Sequence, residues 1–438
     1  MRRTVLSVLC AALLAMPPVL QAAGPVSGGE VKQVVGGQYD RFVADLAMLT
    51  AIDSGTGNKE GSARIADILK GWVGELGGTT EFRENDKGVH VIARFKGQGT
   101  LRVLISPHTD TVWGVGEAAK RPFHVDAQGR AFGPGAGDCK ASVSQTIQLL
   151  RALRTLKLDS YGEIIVYFDA EEEKGSKFET AIIDELVRQV DVALINDTAR
   201  PDWGIVTQRK GSAKYKLSVS GVGGHSGSGA HAAASATMEL VNQLHAINAL
   251  VSPMPPGAPY AYTSAALKAR GVADRGQFIP ETTFNVGELG TANKGTGTVP
   301  DNAFAQVQVR SFKRSELERL DREIRRLAGQ PTIAGTKVTV EGEISSLPVE
   351  KTPAAVRLIE AYKGIAKREY GVDVPEWLGG GGTVANDTFQ HVPTLDSVGV
   401  EVDPQLNHTV NEYADLKSFV PRTVTLILLL QQLSAGAP

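Results

Sequence analysis

The sequence predicts an α/β protein with a mostly parallel central sheet, interrupted by a second domain of ferredoxin-like order. Three observations carry this. The first half alternates short, nearly continuous apolar runs with segments of helical spacing, the pattern of strands buried on both faces by helices. Over 212–346 the order changes to strand, helix, strand, strand, helix, strand, which is the βαββαβ unit. Apolar segments of the first kind then resume over 347–438. A length of 438 residues suits two or three domains.

The extreme N-terminus stands outside that fold. Arg2 and Arg3 precede an apolar run over 5–16, then Pro17-Pro18 and the small stretch Gln21-Ala22-Ala23-Gly24. This is the layout of an export signal, assigned here to 1–22, and it predicts a periplasmic or secreted protein. The run is too short to span a bilayer comfortably. Cys10 lies inside it behind Ser7-Val8-Leu9, which argues against a lipid anchor. After signal removal only Cys139 remains, so no internal disulfide is expected. Lys and Arg number 46 against 48 Asp and Glu, a formal charge of −2. That balance, without basic blocks, points to neither a nucleic-acid nor a membrane partner.

The first part of the larger domain is placed at 23–211. It reads as a helix over 60–76, strands over 89–95 and 101–106, a helix over 140–157, and strands over 163–168 and 192–195. The inserted unit reads as a strand over 214–220, a helix over 230–250, strands over 283–289 and 303–312, a helix over 315–328 and a strand over 336–343. In the second part, Thr352-Pro353 supplies a cap and a proline at the first helical position. That helix runs to Tyr370, a strand is expected over 398–402, and a helix over 421–433 closes the domain. Gly- and Pro-rich loops lie at 251–271 and 379–383, lengths often associated with function.

Metal-ligand residue types recur at predicted strand ends. His108 and Asp110 follow the strand ending at Ser106, and two-residue spacing lets both side chains leave one side. Asp138 follows the turn Gly133-Pro134-Gly135 at a helix start, where a plain N-cap is the alternative. Glu171-Glu172-Glu173 closes the apolar run 163–168. A solvated acidic loop is the usual reading of such a run. At the carboxyl end of a buried strand, however, it lies where open α/β sheets place ligands. Adjacent carboxylates can divide labour, one binding a cation and the other moving a proton. Asp197 ends the next apolar strand, and His408 follows much later.

Taken in order, Pro107-His108-Thr109-Asp110-Thr111, Gly133-Pro134-Gly135 with Asp138-Cys139-Lys140, Glu171-Glu172-Glu173-Lys174-Gly175, Gly224-His225-Ser226-Gly227, Val299-Pro300-Asp301 with Arg310, and His408 resemble the glutamate carboxypeptidase and aminoacylase family of two-zinc metallopeptidases. The resemblance spans nearly the whole mature chain. It implies two zinc ions per subunit, with Asp138 between them, His108 and Asp197 completing one site, and Glu173 and His408 the other. It implies Glu172 as the general base, acting on a water between the metals, Asp110 as the residue that orients His108, His225 as an oxyanion donor from a partner subunit, and Arg310 as the holder of a substrate carboxylate. His90, His124, His231, His245 and His391 are given no metal role. The implied reaction is hydrolysis of an amide or peptide bond beside a free carboxylate. The alternatives are an N-acyl amino acid deacylase using the same site and a non-catalytic peptide-binding protein. The inserted domain is implied to act as a lid and to form a homodimer.

Three positions depart from the family pattern. Gly297 stands where an asparagine is frequent, although Asn293 is close by. Asp197 stands where glutamate carboxypeptidases more often carry Glu. Glu343-Ile344-Ser345-Ser346 lacks the basic residue that glutamate-specific members use for the substrate side chain.

Overall fold

The computed structural model describes residues 26–251, 281–293 and 295–436. The expected export signal and all but the first residue of the loop at 251–271 lie outside them. An eight-stranded sheet forms the centre, in the spatial order Thr79–Glu84, Val89–Lys96, Glu163–Phe168, Arg102–Ile105, Val192–Ile195, Thr394–Asp396, Ile205–Arg209, Glu376–Gly379. Its middle is parallel: Glu163–Phe168 beside Arg102–Ile105, then Val192–Ile195, then Thr394–Asp396. Antiparallel pairings lie toward the edges.

The strand Glu163–Phe168 shows why the sequence folds this way. All six of its residues are buried. Alternate side chains point to opposite faces of a strand, so Ile164, Val166 and Phe168 enter one core and Ile165 and Tyr167 another. The larger core is closed by the helices Lys59–Glu75, Ala141–Thr155, Pro353–Tyr370 and Phe419–Ser434. The smaller is closed by Lys177–Val187. Pro353–Tyr370 starts as its sequence predicts, with the Thr352 hydroxyl accepting from the Ala355 N–H at 3.1 Å and Pro353 in the first turn. Phe419 stacks on Phe42 with ring centroids 4.0 Å apart, joining the last helix to the helix Tyr39–Thr50.

The second sheet has the order Thr282–Gly290, Asn302–Ser311, Gly211–Ser220, Lys337–Ser346 and is wholly antiparallel. The helices Ala236–Leu250 and Arg314–Ala328 cover one face. In Gly211–Ser220 the residues Ala213, Tyr215, Leu217 and Val219 turn toward the helices, while Lys214 and Lys216 are exposed. Among the described residues the other face carries no helix.

Two expectations are corrected. The helix expected from residue 230 begins at Ala236, capped by the Ser235 hydroxyl, after a single turn at Ala230–Ala232. The ladder strand expected over 398–402 is instead Thr394–Asp396. Ser397 has φ of 59°, which turns the chain out of the ladder. Beyond it, Gly399 donates to the Asp197 carbonyl at 3.0 Å and Val400 donates to the Ser142 hydroxyl at 3.1 Å. Val398, Val400 and Val402 are buried, and the segment makes isolated bridges from Glu401 to Ala199 and to Asp415 rather than joining the central ladder.

Among the described residues no helix is long and apolar enough to cross a membrane. Replacing Phe419 by Ala is expected to lower unfolding stability by about 3–5 kcal/mol, the usual loss for a buried aromatic. A urea midpoint equal to that of the wild type would show that the stack is not part of the core.

Candidate metal centre

Three parallel strands end on one edge of the central sheet. Arg102–Ile105 leads to His108 and Asp110, Glu163–Phe168 to Glu172 and Glu173, and Val192–Ile195 to Asp197. This is the edge where open α/β sheets bind ligands. Asp138 arrives from a tight turn before the helix Ala141–Thr155. Gly135 has φ of 74°, and a Cβ there would lie 2.5 Å from the Thr111 side chain, so the turn needs glycine. Asp138 itself has φ −112° and ψ 96° and caps no helix, since the helix starts after Lys140. The simple N-cap reading is thereby set aside. The buried Lys140 ammonium ties the turn down by donating to the carbonyls of Ile52 at 2.8 Å and Pro134 at 3.2 Å. Glu412 accepts from the Gly135 N–H at 2.9 Å.

The two carboxylate oxygens of Asp138 face different histidines. His108 Nε2 lies 3.0 Å from Oδ1, and His408 Nε2 lies 3.3 Å from Oδ2. His108 Nε2 is also 3.8 Å from Asp197, and His408 Nε2 is 3.0 Å from Glu173. His108 Nδ1 is 3.4 Å from an Asp110 carboxylate oxygen and 3.2 Å from the Asp110 carbonyl. The other Asp110 oxygen accepts from the Thr56 hydroxyl at 2.6 Å and from the Glu173 N–H at 3.2 Å. Asp110 thus fixes both the ring of one histidine and the backbone of the acidic loop. His90, given no metal role, is buried and accepts from the Ala170 N–H at 3.2 Å, steadying the same loop.

The electrostatics call for a cation. Burial, reinforced by Asp197, Glu173 and Asp138 against the opposing pull of His108, pushes the Glu172 carboxyl well above its ordinary range. Burial and the neighbouring Asp138 also raise Glu173 and Asp197. Burial would raise Asp138 too, but hydrogen bonds from His108 and His408 hold it below the usual carboxylate range. One Glu173 oxygen is buried without a hydrogen-bond partner. His108, Asp138 and Glu173 offer ligand atoms all within 4.8 Å of one another, as do His108, Cys139 and Asp197. Imidazoles and carboxylates crowded in this way suit zinc. The residues present therefore fit a divalent metal, and His108, Asp138, Glu173, Asp197 and His408 would hold it.

Two sequence candidates lie apart from these ligands. His225 is exposed, and its ring accepts from the N–H groups of Gly227 and Ser228, both at 3.1 Å, within its own turn. Arg310 donates to the Gly380 carbonyl at 3.0 Å, linking the inserted sheet to the loop 379–383. Other residues were not foreseen. Asn407 donates to Asp138 Oδ2 at 3.0 Å; its position beside His408 was the available signal. The Cys139 thiol, pushed up to about 12 by burial, donates to the His108 carbonyl at 3.3 Å and accepts from the His108 N–H at 3.2 Å. Thr56 belongs to no motif and had no signal at all.

An α/β sheet that gathers imidazoles and carboxylates at the ends of parallel strands defines a metal-dependent hydrolase scaffold. The chain matches the model of Peptidase family M20/M25/M40 over residues 104–432 and belongs to that family. Carboxypeptidase G2 of Pseudomonas sp. (strain RS-16) is 25% identical over 402 residues, covering 90% of this chain and 89% of the relative. A succinyl-diaminopimelate desuccinylase of Pseudomonas fluorescens is 26% identical over 303 residues, covering 66% and 69%. Among solved structures, aminopeptidase PepT of Bacillus cereus superposes with a TM-score of 0.70 at 18% identity, covering 90% of this chain and 98% of that one. The metallo-carboxypeptidase Sso-CP2 of Sulfolobus solfataricus gives 0.66 at 16% identity, covering 90% and 100%. The protein is thus an M20 family metallopeptidase or amidohydrolase.

Metal-free protein should show the His408 contacts in its pH dependence. Its hydrogen bonds to Asp138 and Glu173 raise the imidazole from 6.5 to about 10. A raised folded-state value stabilises fully below the unfolded value and fades as pH rises through the folded one. After chelator treatment, the melting temperature should therefore fall between about pH 6.5 and 10. The His408→Ala variant should lack that component. Equal slopes for the two proteins in scanning fluorimetry would contradict the contact.

Proposed function

We propose that this chain is an exported two-zinc hydrolase that cleaves an amide or peptide bond next to a free carboxylate, in the manner of a carboxypeptidase. One observation carries the reading: Asp138 presents one oxygen to His108 and the other to His408, the arrangement expected of a carboxylate shared by two metal sites. His108 and Asp197 would complete one site, Glu173 and His408 the other. When bound, such a metal pair polarises the scissile carbonyl and lowers the pKa of water.

Glu172 supplies the proton traffic. Its carboxylate takes a proton from the attacking water as the new C–O bond forms, then delivers it to the departing nitrogen as the C–N bond breaks. Glu172 makes no hydrogen bond of its own among the described residues, so it is free for that duty, whereas Glu173 is engaged by His408. Asp110 keeps His108 in the tautomer that leaves Nε2 available. Arg310 holds the substrate carboxylate through its forked guanidinium. His225 acts as an oxyanion donor to the neighbouring subunit of a homodimer formed through the inserted domain at 212–346, which also serves as the lid. That role is consistent with its exposure in a single chain. The segment 1–22 directs export to the periplasm or beyond.

A second reading uses the same centre to remove acyl groups from N-acyl amino acids, and the similarity to desuccinylases favours carrying it. A non-catalytic peptide binder has no use for Glu172.

The test combines one substitution with one screen. Glu172→Ala should keep the fold and the metal content while losing turnover by on the order of 10²–10⁴-fold or more. Normal turnover in that variant would remove Glu172 from the role. With zinc supplied, hydrolysis of dipeptides but not acyl amino acids supports the carboxypeptidase, and the reverse pattern supports the deacylase.

A further inference from the structure

Three segments of the metal centre meet a second time, a few residues away from the ligands themselves, and they meet on one carboxylate oxygen. Glu412 Oε1 accepts from the Trp113 indole N–H at 2.5 Å and from the Gly135 N–H at 2.9 Å, and Arg121 Nη1 stands 4.0 Å from it. Trp113 lies three residues after Asp110, Gly135 three before Asp138, and Glu412 four after His408. The Arg121 guanidinium lies over the Trp113 ring, 4.0 Å from its centre. The indole is thus held at its edge by Glu412 and on one face by a cation.

The segment that carries His408 is closed on itself. The Leu406 N–H donates to the Asp403 carbonyl at 2.9 Å, that of Thr409 to Leu406 at 3.1 Å, and that of Glu412 to Thr409 at 3.1 Å. His408 has φ of 61°, and its side chain is half exposed. These turns shape the segment without fixing where it sits against Asp138. Asn407 reaches the Asp138 carboxylate, and Glu412 reaches the backbone of the turn that bears it. Just beyond, a Cβ at Gly137 would lie 2.8 Å from the Tyr413 carbonyl oxygen, so the two backbones already touch.

A buried carboxylate is costly unless donors and a cation meet it. Glu412 is 1% exposed and has both. Its charge also offsets part of the effect of burial on the Lys140 ammonium, which ties down the same turn. Packing alone gives no reason to bury a charge at this position, whereas joining three segments does.

We propose that Glu412 is the positioning residue that docks the His408 segment against the Asp138 turn, so that the metal site completed by Glu173 and His408 takes shape while this carboxylate holds Gly135 and Trp113. The proposal rests on the two-zinc reading above. Glu412 touches neither metal nor substrate in this role and acts through the position of His408. The other site, completed by His108 and Asp197 from strand ends, does not depend on the segment and serves as the internal control.

The experiment reads zinc per chain in the full-length protein, dialysed against buffered zinc over a range of free concentrations. Wild type should bind two ions. Glu412→Ala should keep one at wild-type affinity and bind the other roughly 10–100-fold more weakly, the usual effect of losing a residue that orients a ligand. His408→Ala shows what loss of that site alone looks like. Glu412→Gln keeps the acceptor oxygen and should bind both ions as wild type does. Trp113→Phe removes only the indole donor and should weaken the same single site to a smaller degree. Unchanged affinity for both ions in Glu412→Ala overturns the role and leaves the two-zinc reading intact. Equal weakening of both ions also overturns it, since a merely structural residue would do that. Should Glu412→Ala fail to fold, Trp113→Phe decides by the same two criteria. Fewer than two ions in wild type sinks the two-zinc reading. Hydrogen exchange over 403–412 in the metal-free protein then decides the docking: faster exchange in Glu412→Ala but not in Glu412→Gln supports it, and equal exchange in all three proteins overturns it.

Discussion

Several carboxylates held within a few ångströms of one another in a largely buried place is the constraint from which the rest of this molecule can be understood. Like charges so placed cannot all ionise without a cation between them. The protein accepts that instability at Asp138, Glu173 and Asp197 and surrounds it with rigid supports. Asp138 sits in a turn anchored by the Lys140 ammonium. The acidic loop is pinned through Asp110 and His90. His108, Glu173 and Asp197 each follow the end of a buried strand, whereas His408 comes from a turn. The arrangement stores an electrostatic demand that a divalent metal satisfies, and it leaves Glu172 beside that demand without being consumed by it.

The central sheet makes such rigidity possible. Glu163–Phe168 feeds two separate cores with alternate residues, so the strand that delivers Glu172 and Glu173 is gripped from both faces. The inserted sheet, by contrast, has helices on one side only among the described residues. From its open face Arg310 reaches the Gly380 carbonyl in the loop 379–383. The candidate metal centre thus lies where the packing of the central sheet is strongest.

Much of this was legible in the sequence, for reasons specific to each element. The run 163–168 could be read because a doubly buried strand must be apolar throughout. The helix beginning at Pro353 could be read because its cap and its proline are local chemistry. The ligand types stood out because an acidic run at the carboxyl end of a buried strand lies where open α/β sheets place ligands. What could not be read depended on contacts distant in sequence. The stretch 398–402 alternates like a strand but is held by Ser142 and Asp197, far apart in the chain. Asn407 and Thr56 acquire meaning only through neighbours placed by folding. Asp138 had two local readings, and only the backbone conformation at 138–141 separates them.

The placement of the insertion also sets the order in which the centre comes into being. His108, Asp138, Glu172, Glu173 and Asp197 all precede the inserted unit, whereas His408 and the helix Phe419–Ser434 follow it. Domains generally fold as units during synthesis, N-terminal parts first. The inserted sheet, being contiguous in sequence with its own core, is complete while the larger domain still lacks two strands of its central sheet, two core helices and His408. A nascent chain therefore carries its acidic residues before it carries the partner that joins Asp138 to Glu173. The last member of the candidate metal centre arrives with the closing segment of the polypeptide, which ties the assembly of that centre to the completion of the fold.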